Sequence, residues 1–319
     1  MCPDASPTGI DRALQAVVRD CLAVRPSETV LVVADPPSED LGHAFRDVAQ
    51  AAGADAALAL IEERPTHGAE PPAPVAAALA AADVFIAPTA KSLSHTQARK
   101  RATEAGARGA TLPGVTADML ARLMSTEFAQ LRERCAAVAR RLDAGAEARL
   151  TCPRGSDLRL NLRNRSGIAD DGDLSAPGAF GNLPCGEGFI APAGGEGTLV
   201  ASSLAGVGLA DPPAALTVTN GHLTQAQSPA GERLLALLRE HGDPGTNLAE
   251  LGVGTNDRAT LTGNVLEDEK ILGTVHVAFG ASAAIGGTVS VPVHLDCVVL
   301  DATLSMDGET ILDAGRLLV

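Results

Sequence analysis

Three side chains able to bind a metal stand in two β-branched, apolar runs near the C-terminus. His276 lies in Gly273-Thr-Val-His276-Val-Ala-Phe-Gly280, and His294 and Asp296 lie in Val291-Pro-Val-His294-Leu-Asp296-Cys-Val-Val-Leu300. Residues i and i+2 of a strand project from one face. His294 and Asp296 therefore converge while Leu295 and Cys297 point away. An imidazole and a carboxylate on one face of a rigid strand make half of a metal site. A buried Asp is costly unless it is paired or bound to a cation. The same spacing also fits a hydrogen-bonded His–Asp couple without a metal.

Two further carboxylates stand out by context. Glu187 sits in the Gly/Pro-rich stretch Gly181-Asn-Leu-Pro-Cys-Gly-Glu187-Gly-Phe-Ile-Ala-Pro192, beside an apolar patch. Glu250 interrupts the otherwise apolar run of Asn247-Leu-Ala-Glu250-Leu-Gly-Val-Gly-Thr-Asn256. Taken singly, each is also compatible with a solvent-facing position on an alternating strand. Cys185 is read as structural, Lys270 as a local ion-pair partner or a clamp for a substrate carboxylate, and Arg99-Lys-Arg101 as a solvated helix face.

The elements that must position these groups change in texture along the chain. The first part alternates apolar runs with helical patterns: a helix over 11–24, a strand over 29–34, a helix over 39–52 and a strand over 54–61. A helix over 74–82, a strand over 83–87, a helix over 96–105, a strand over 109–112 and a helix through 119–123 follow. Repeated βα units predict an α/β fold with an open parallel sheet and helices on both faces. No GxGxxG opens the first helix, so a dinucleotide site is not expected. Residues 128–144 read as one long charged helix. Beyond it come a hairpin over 147–152 and 157–163, strands over 198–208 and 214–218, and a helix over 230–241. Two terminal strands, 298–304 and 310–312, are joined by Met306-Asp-Gly308. The expected division is an α/β domain over 1–125, a connecting helix over 126–145 and a β-rich metal-binding catalytic domain over 146–319.

Composition narrows the function. The 319 residues carry a formal net charge of −14, which argues against nucleic acid or an anionic membrane as partner. Trp and Tyr are absent, which removes a tyrosyl acid and leaves few stacking platforms; a small or aliphatic ligand suits such a pocket better than a stacked ring. The six cysteines form no CxxC pair, no apolar run reaches membrane-spanning length, and the N-terminus lacks the pattern of a signal peptide. The expectation is a cytoplasmic enzyme with free thiols.

Taken together and in this order, the Glu187, Glu250, His276 and His294/Asp296 segments resemble the aminopeptidase T family of metallopeptidases, and the likeness extends to Ser92-Leu-Ser-His95-Thr96. The resemblance implies that Glu187, Glu250, His276, His294 and Asp296 match metal-ligand positions. It implies two divalent ions (Zn, Co or Mn), a short-peptide or small amide substrate, and a homodimer. Glu187 or Glu250 would pass the proton of a metal-activated water to the leaving amine. The family's tyrosine after the first His has no counterpart here, where the region reads Ala281-Ser-Ala-Ala284, and the stretch between His276 and His294 is short. The 2,5-dihydroxypyridine dioxygenases look like shortened relatives of that family. The resemblance to them implies one Fe(II) on His276, His294 and Asp296, the two-His, one-carboxylate set that suits non-haem iron, with His95 as an acid–base group. A hydrolase is the first expectation, a ring-cleaving oxygenase the second, and a catalytically silent, metal-stapled protein the third.

Overall fold

The computed structural model of the chain describes residues 8–319. In chain order, helix α1 (Gly9–Gln15) runs into a π-helical turn at Ala16–Cys21. β1 (Thr29–Ala34), α2 (Glu39–Ala51), β2 (Asp55–Leu60), α3 (Ala73–Ala81), β3 (Val84–Ala87), α4 (Gln97–Glu104), β4 (Arg108–Thr111) and α5 (Ala117–Leu123) follow. Then come α6 (Phe128–Ala144), β5 (Glu147–Thr151), β6 (Asp157–Asn161), β7 (Ile168–Asp170), β8 (Phe180–Asn182), β9 (Glu187–Ile190), β10 (Gly194–Leu204), β11 (Gly208–Thr219) and β12 (His222–Ala226). The chain closes with α7 (Pro229–Arg239), β13 (Leu248–Gly254), α8 (Val265–Asp268), β14 (Val275–Gly280), β15 (His294–Val299), β16 (Thr303–Met306), β17 (Glu309–Asp313) and β18 (Arg316–Leu317). Among the described residues no helix is long and apolar enough to cross a membrane.

Two compact units result. The first comprises the residues up to Thr126 together with Gly172–Cys185; the second comprises Glu127–Asp171 and Gly186–Val319. The division is thus not contiguous. Residues 172–185 return to the first unit because β8 hydrogen-bonds in parallel along β4, and α6 groups with the second unit.

The first unit is a parallel sheet in the order β2-β1-β3-β4-β8. Alternation along its strands explains why helices cover both faces. Leu31, Val33, Phe85 and Ala87 pack with Leu79, Ala98 and Ala102 of α3 and α4. On the opposite face α2 lies so close to β1 and β2 that a Cβ on Gly42 would stand 2.7 Å from the Ala34 side chain. The helix expected over 11–24 instead changes to a π turn after Gln15 and ends before Ala23, whose positive φ an α-helix cannot hold.

The second unit is a thirteen-stranded sheet in the order β18-β17-β16-β5-β6-β10-β15-β14-β13-β9-β7, from which β11 and β12 branch at β10. The expected strand over 298–304 is two strands. β15 ends at Val299, Asp301 turns with φ +54°, and β16 starts at Thr303, because β15 pairs with β14 and β10 whereas β16 pairs with β5 and β17. One apolar cluster from β5, β6, β10, β11 and β13–β16, with Leu234 and Leu238 of α7, forms the core of this unit.

Arg108, at the start of β4, ties the first unit together. It is 5% exposed and donates to the Leu22 carbonyl at 2.6 Å, to the Ala23 carbonyl at 3.0 Å, and to both Glu28 oxygens at 2.6 and 3.0 Å. Replacing it by Met leaves two carbonyls without this donor and the half-buried Glu28 carboxylate with the Arg25 amide but no counter-charge in contact. Arg108→Met is expected to cost about 3 kcal/mol in urea denaturation; a loss within experimental error would remove this pair from the account of stability.

Candidate metal centre

One face of the sheet around β14 carries the chemistry and the other carries the core. Val275, Val277 and Phe279 of β14 and Leu295, Cys297 and Val299 of β15 enter the apolar cluster. His276 and Ala278, and His294 and Asp296, therefore share the opposite face, as the two-residue period requires. In register, Ala278 faces Asp296 on one side and Glu250 on the other, and Gly252 lies beside His276. Gly254 pairs with Glu187 of β9, which in turn pairs with Asp170 of β7.

Glu250 reaches this face through an irregularity. Leu248, Leu251 and Val253 all point to the core, so simple alternation breaks between Leu248 and Glu250, where the pairing with β14 shifts. Such a bulge re-aims one side chain at little cost to the ladder. β13 is also an internal strand flanked by β9 and β14, so the solvent-facing edge position open to Glu250 from sequence is not where it lies; it is 6% exposed.

The sequence-predicted ligands meet in two overlapping groups. Glu187, Glu250 and His276 form one; Glu250, His294 and Asp296 form the other. Glu250 bridges them: its Oε1 is 3.3 Å from His276 Nε2 and its Oε2 is 3.3 Å from His294 Nε2. Glu187 Oε2 lies 3.0 Å from His276 Nε2, and Asp296 Oδ1 lies 3.7 Å from His294 Nε2. The His276–His294–Asp296 set is joined through Glu250 and does not by itself form one of the close groups.

The donor set suits a cation. His294 Nδ1 is 2.7 Å from the Ala281 carbonyl, so it carries the proton of that hydrogen bond and a neutral ring turns the Nε2 lone pair toward Glu250 and Asp296. Glu187 Oε2 is buried without a hydrogen bond. In the chain alone, protons fill the cation's part. Burial would strip them from His276, but Glu187 and Glu250 outweigh it and raise that pKa well above the ordinary imidazole value. At His294 burial likewise loses to Asp296 and Glu250. Conversely, burial would raise Glu250 and Asp296, yet the imidazoles beside them hold both below the usual carboxylate range.

A second ring of charge surrounds the first. Lys270 Nζ is 2.5 Å from Glu187 Oε1, 2.8 Å from Glu269 Oε1 and 3.6 Å from Asp170 Oδ2. Burial pushes Glu269 up to about 8 and Asp170 up to about 7, against the pull of Lys270. Asp170 and Glu269 were not expected as site residues. Glu269 adjoins Lys270, which reads from sequence as a local ion-pair partner or a clamp for a substrate carboxylate, and Asp170 lies in a three-residue strand with no pattern of its own.

His95 belongs to the first unit, half-buried in the turn before α4, where Thr96 accepts from the Arg99 amide as N-cap. Cys185 is buried, as a structural thiol would be. Arg99 is no solvated residue: its Nε donates to the Ser94 carbonyl at 2.7 Å and its guanidinium lies 4.3 Å from the Phe180 ring centre.

Comparison with known proteins gives this centre a lineage. The solved structure of a 2,5-dihydroxypyridine dioxygenase from Pseudomonas putida KT2440 is similar at a TM-score of 0.83 and 18% identity, over 98% of this chain and 99% of that one. Wild-type AmpT from Thermus thermophilus is similar at a TM-score of 0.71 and 19% identity, over the same shares of each chain. At such identities both show a shared fold. No curated protein sequence matches the chain. The family model of 2,5-dihydroxypyridine 5,6-dioxygenase (NicX) matches residues 12–319, which includes every candidate ligand. This finding favours the oxygenase, the second expectation from sequence, over the aminopeptidase placed first. The chain belongs to the 2,5-dihydroxypyridine 5,6-dioxygenase family.

Proposed function

We propose that the protein is a ring-cleaving dioxygenase for a dihydroxylated pyridine or a close analogue, dependent on one ferrous ion. The observation that carries this reading is the family match across residues 12–319, within which two imidazoles and Asp296 share one sheet face. His294 and Asp296 from β15, His276 from β14 and Glu250 between the two rings would hold the ion. Iron(II) on such a set would supply redox chemistry, with dioxygen as the oxidant. The chain's own residues do the rest. The rigid strands fix both Nε2 atoms. The apolar core beneath them keeps water from the back of the site. Phe189 shares the site face of β9 with Glu187 and offers the ring an apolar edge.

A metal-dependent aminopeptidase remains the second reading, supported by the paired ligand groups that share Glu250. The family match and the absence of Tyr weigh against it.

Parallel assays separate the two. Chain loaded anaerobically with Fe(II) is expected to consume oxygen and bleach 2,5-dihydroxypyridine, and His294→Ala to fall to background. Hydrolysis of aminoacyl amides by Zn-, Co- or Mn-loaded protein, without oxygen uptake by the Fe(II) form, would instead establish the second reading. Metal uptake by the metal-free chain should release protons, because the cation displaces those held on His276 and His294. Affinity then rises with pH; calorimetry in buffers of different ionisation enthalpy measures the release, and a value of zero would contradict the ligand assignment. Gly252→Ala places a methyl group inside the His276 ring. It is expected to weaken metal binding by about 10- to 100-fold, the range for disturbed ligand orientation, with circular dichroism unchanged; undiminished affinity would remove His276 from the ligand set.

A further inference from the structure

Lys270 is the one residue of the cluster whose charge is opposite to its surroundings and whose role the proposed reaction leaves open. It follows α8, and its backbone is anchored at Asn256, whose amide donates to the Lys270 carbonyl at 2.8 Å. Its side chain is 1% exposed and ends among Glu187, Glu269 and Asp170. An ammonium so deeply desolvated is tolerated only where anions surround it.

The geometry divides the two ligand groups. Glu187 gives Oε1 to Lys270 and turns Oε2 to His276, so the Glu187–Glu250–His276 group already shares an oxygen-bearing ligand with a fixed cation. A dication there would sit one carboxylate away from the ammonium, and like charges at that range oppose each other. In the Glu250–His294–Asp296 group the ion pairs instead run between the members themselves and to His276. Meanwhile Glu187, Glu250, Glu269, Asp170 and Asp296 bring more buried negative charge than a single dication offsets.

We propose that Lys270 stands in for a second metal ion: its ammonium, shared between Glu187 and Glu269, restricts the centre to one divalent cation, bound on the Glu250–His294–Asp296 side with His276. Lys270 is on this view a positioning residue. The inference rests on the oxygenase reading for the identity of the ion and not for the number of ions.

Mn(II) is a suitable probe, since an isolated ion and an exchange-coupled pair give different electron paramagnetic resonance spectra. Metal-free wild-type chain and Lys270→Arg are titrated with Mn(II), freed of excess by gel filtration and analysed for metal. Each is expected to hold about one ion per chain with the spectrum of an isolated centre. Lys270→Gln, one atom shorter, polar and without the charge, is expected to hold about two with a coupled spectrum, as in two-metal sites. A folded Lys270→Gln that still takes one ion overturns the proposal, and so does a coupled pair in the wild type. Should Lys270→Gln fail to fold, the wild-type spectrum decides. Absence of ring cleavage together with a one-ion count would end the oxygenase reading and leave the role of Lys270 standing; a two-ion wild type would end that role whatever the activity.

Discussion

The structure depends on keeping a concentration of negative charge buried on one face of a sheet whose other face is a hydrocarbon core. Glu187, Glu250, Asp296, Glu269 and Asp170 are held close together away from water. Isolated carboxylates in such a place would neutralise themselves or unfold their surroundings. They persist because Lys270, the two imidazoles and, when bound, a cation are interleaved with them. The charge cluster and the apolar core are thus two sides of the same strands: β13, β14 and β15 supply Glu250, His276, His294 and Asp296 upward and Leu251, Val277, Phe279 and Cys297 downward.

The legibility of this arrangement in the sequence follows from which rules govern each part. The His294–Asp296 pair was readable because it sits in an uninterrupted strand, where period-two geometry is reliable. His276 was readable for the same reason. The parallel sheet of the first unit showed itself through wholly apolar strands alternating with amphipathic helices. The long helix Phe128–Ala144 was marked by its periodicity and bounded by Gly145.

Other parts obey long-range pairing that leaves no local trace. The bulge before Glu250 carries no glycine or proline signal, so only the register with β14 reveals which way that carboxylate turns. The three-residue strands β7 and β8 exist because their partners β9 and β4 need neighbours, and Asp170 is carried into the cluster with β7. Lys270 reads locally as one charge in Asp268-Glu-Lys270, while its decisive contact is with Glu187, eighty-three residues earlier in the chain. The choice between hydrolase and oxygenase was open because both chemistries draw on the same ligand types, and it is the family match that favours the oxygenase.

Gly252, Gly254 and Ala278 stand on the same face as the acids and imidazoles, in register with His276, Glu187, Glu250 and Asp296. They bear nothing that titrates or coordinates, and a scan for reactive groups passes over them. Yet a Cβ on Gly252 would strike the His276 ring and one on Gly254 the backbone that carries Glu269 and Lys270, so the room in which those groups meet depends on side chains being absent or small here. The blueprint of the centre is accordingly written as much in omissions as in functional atoms, and any search for kindred sites that scores only histidines and acids would read half of it.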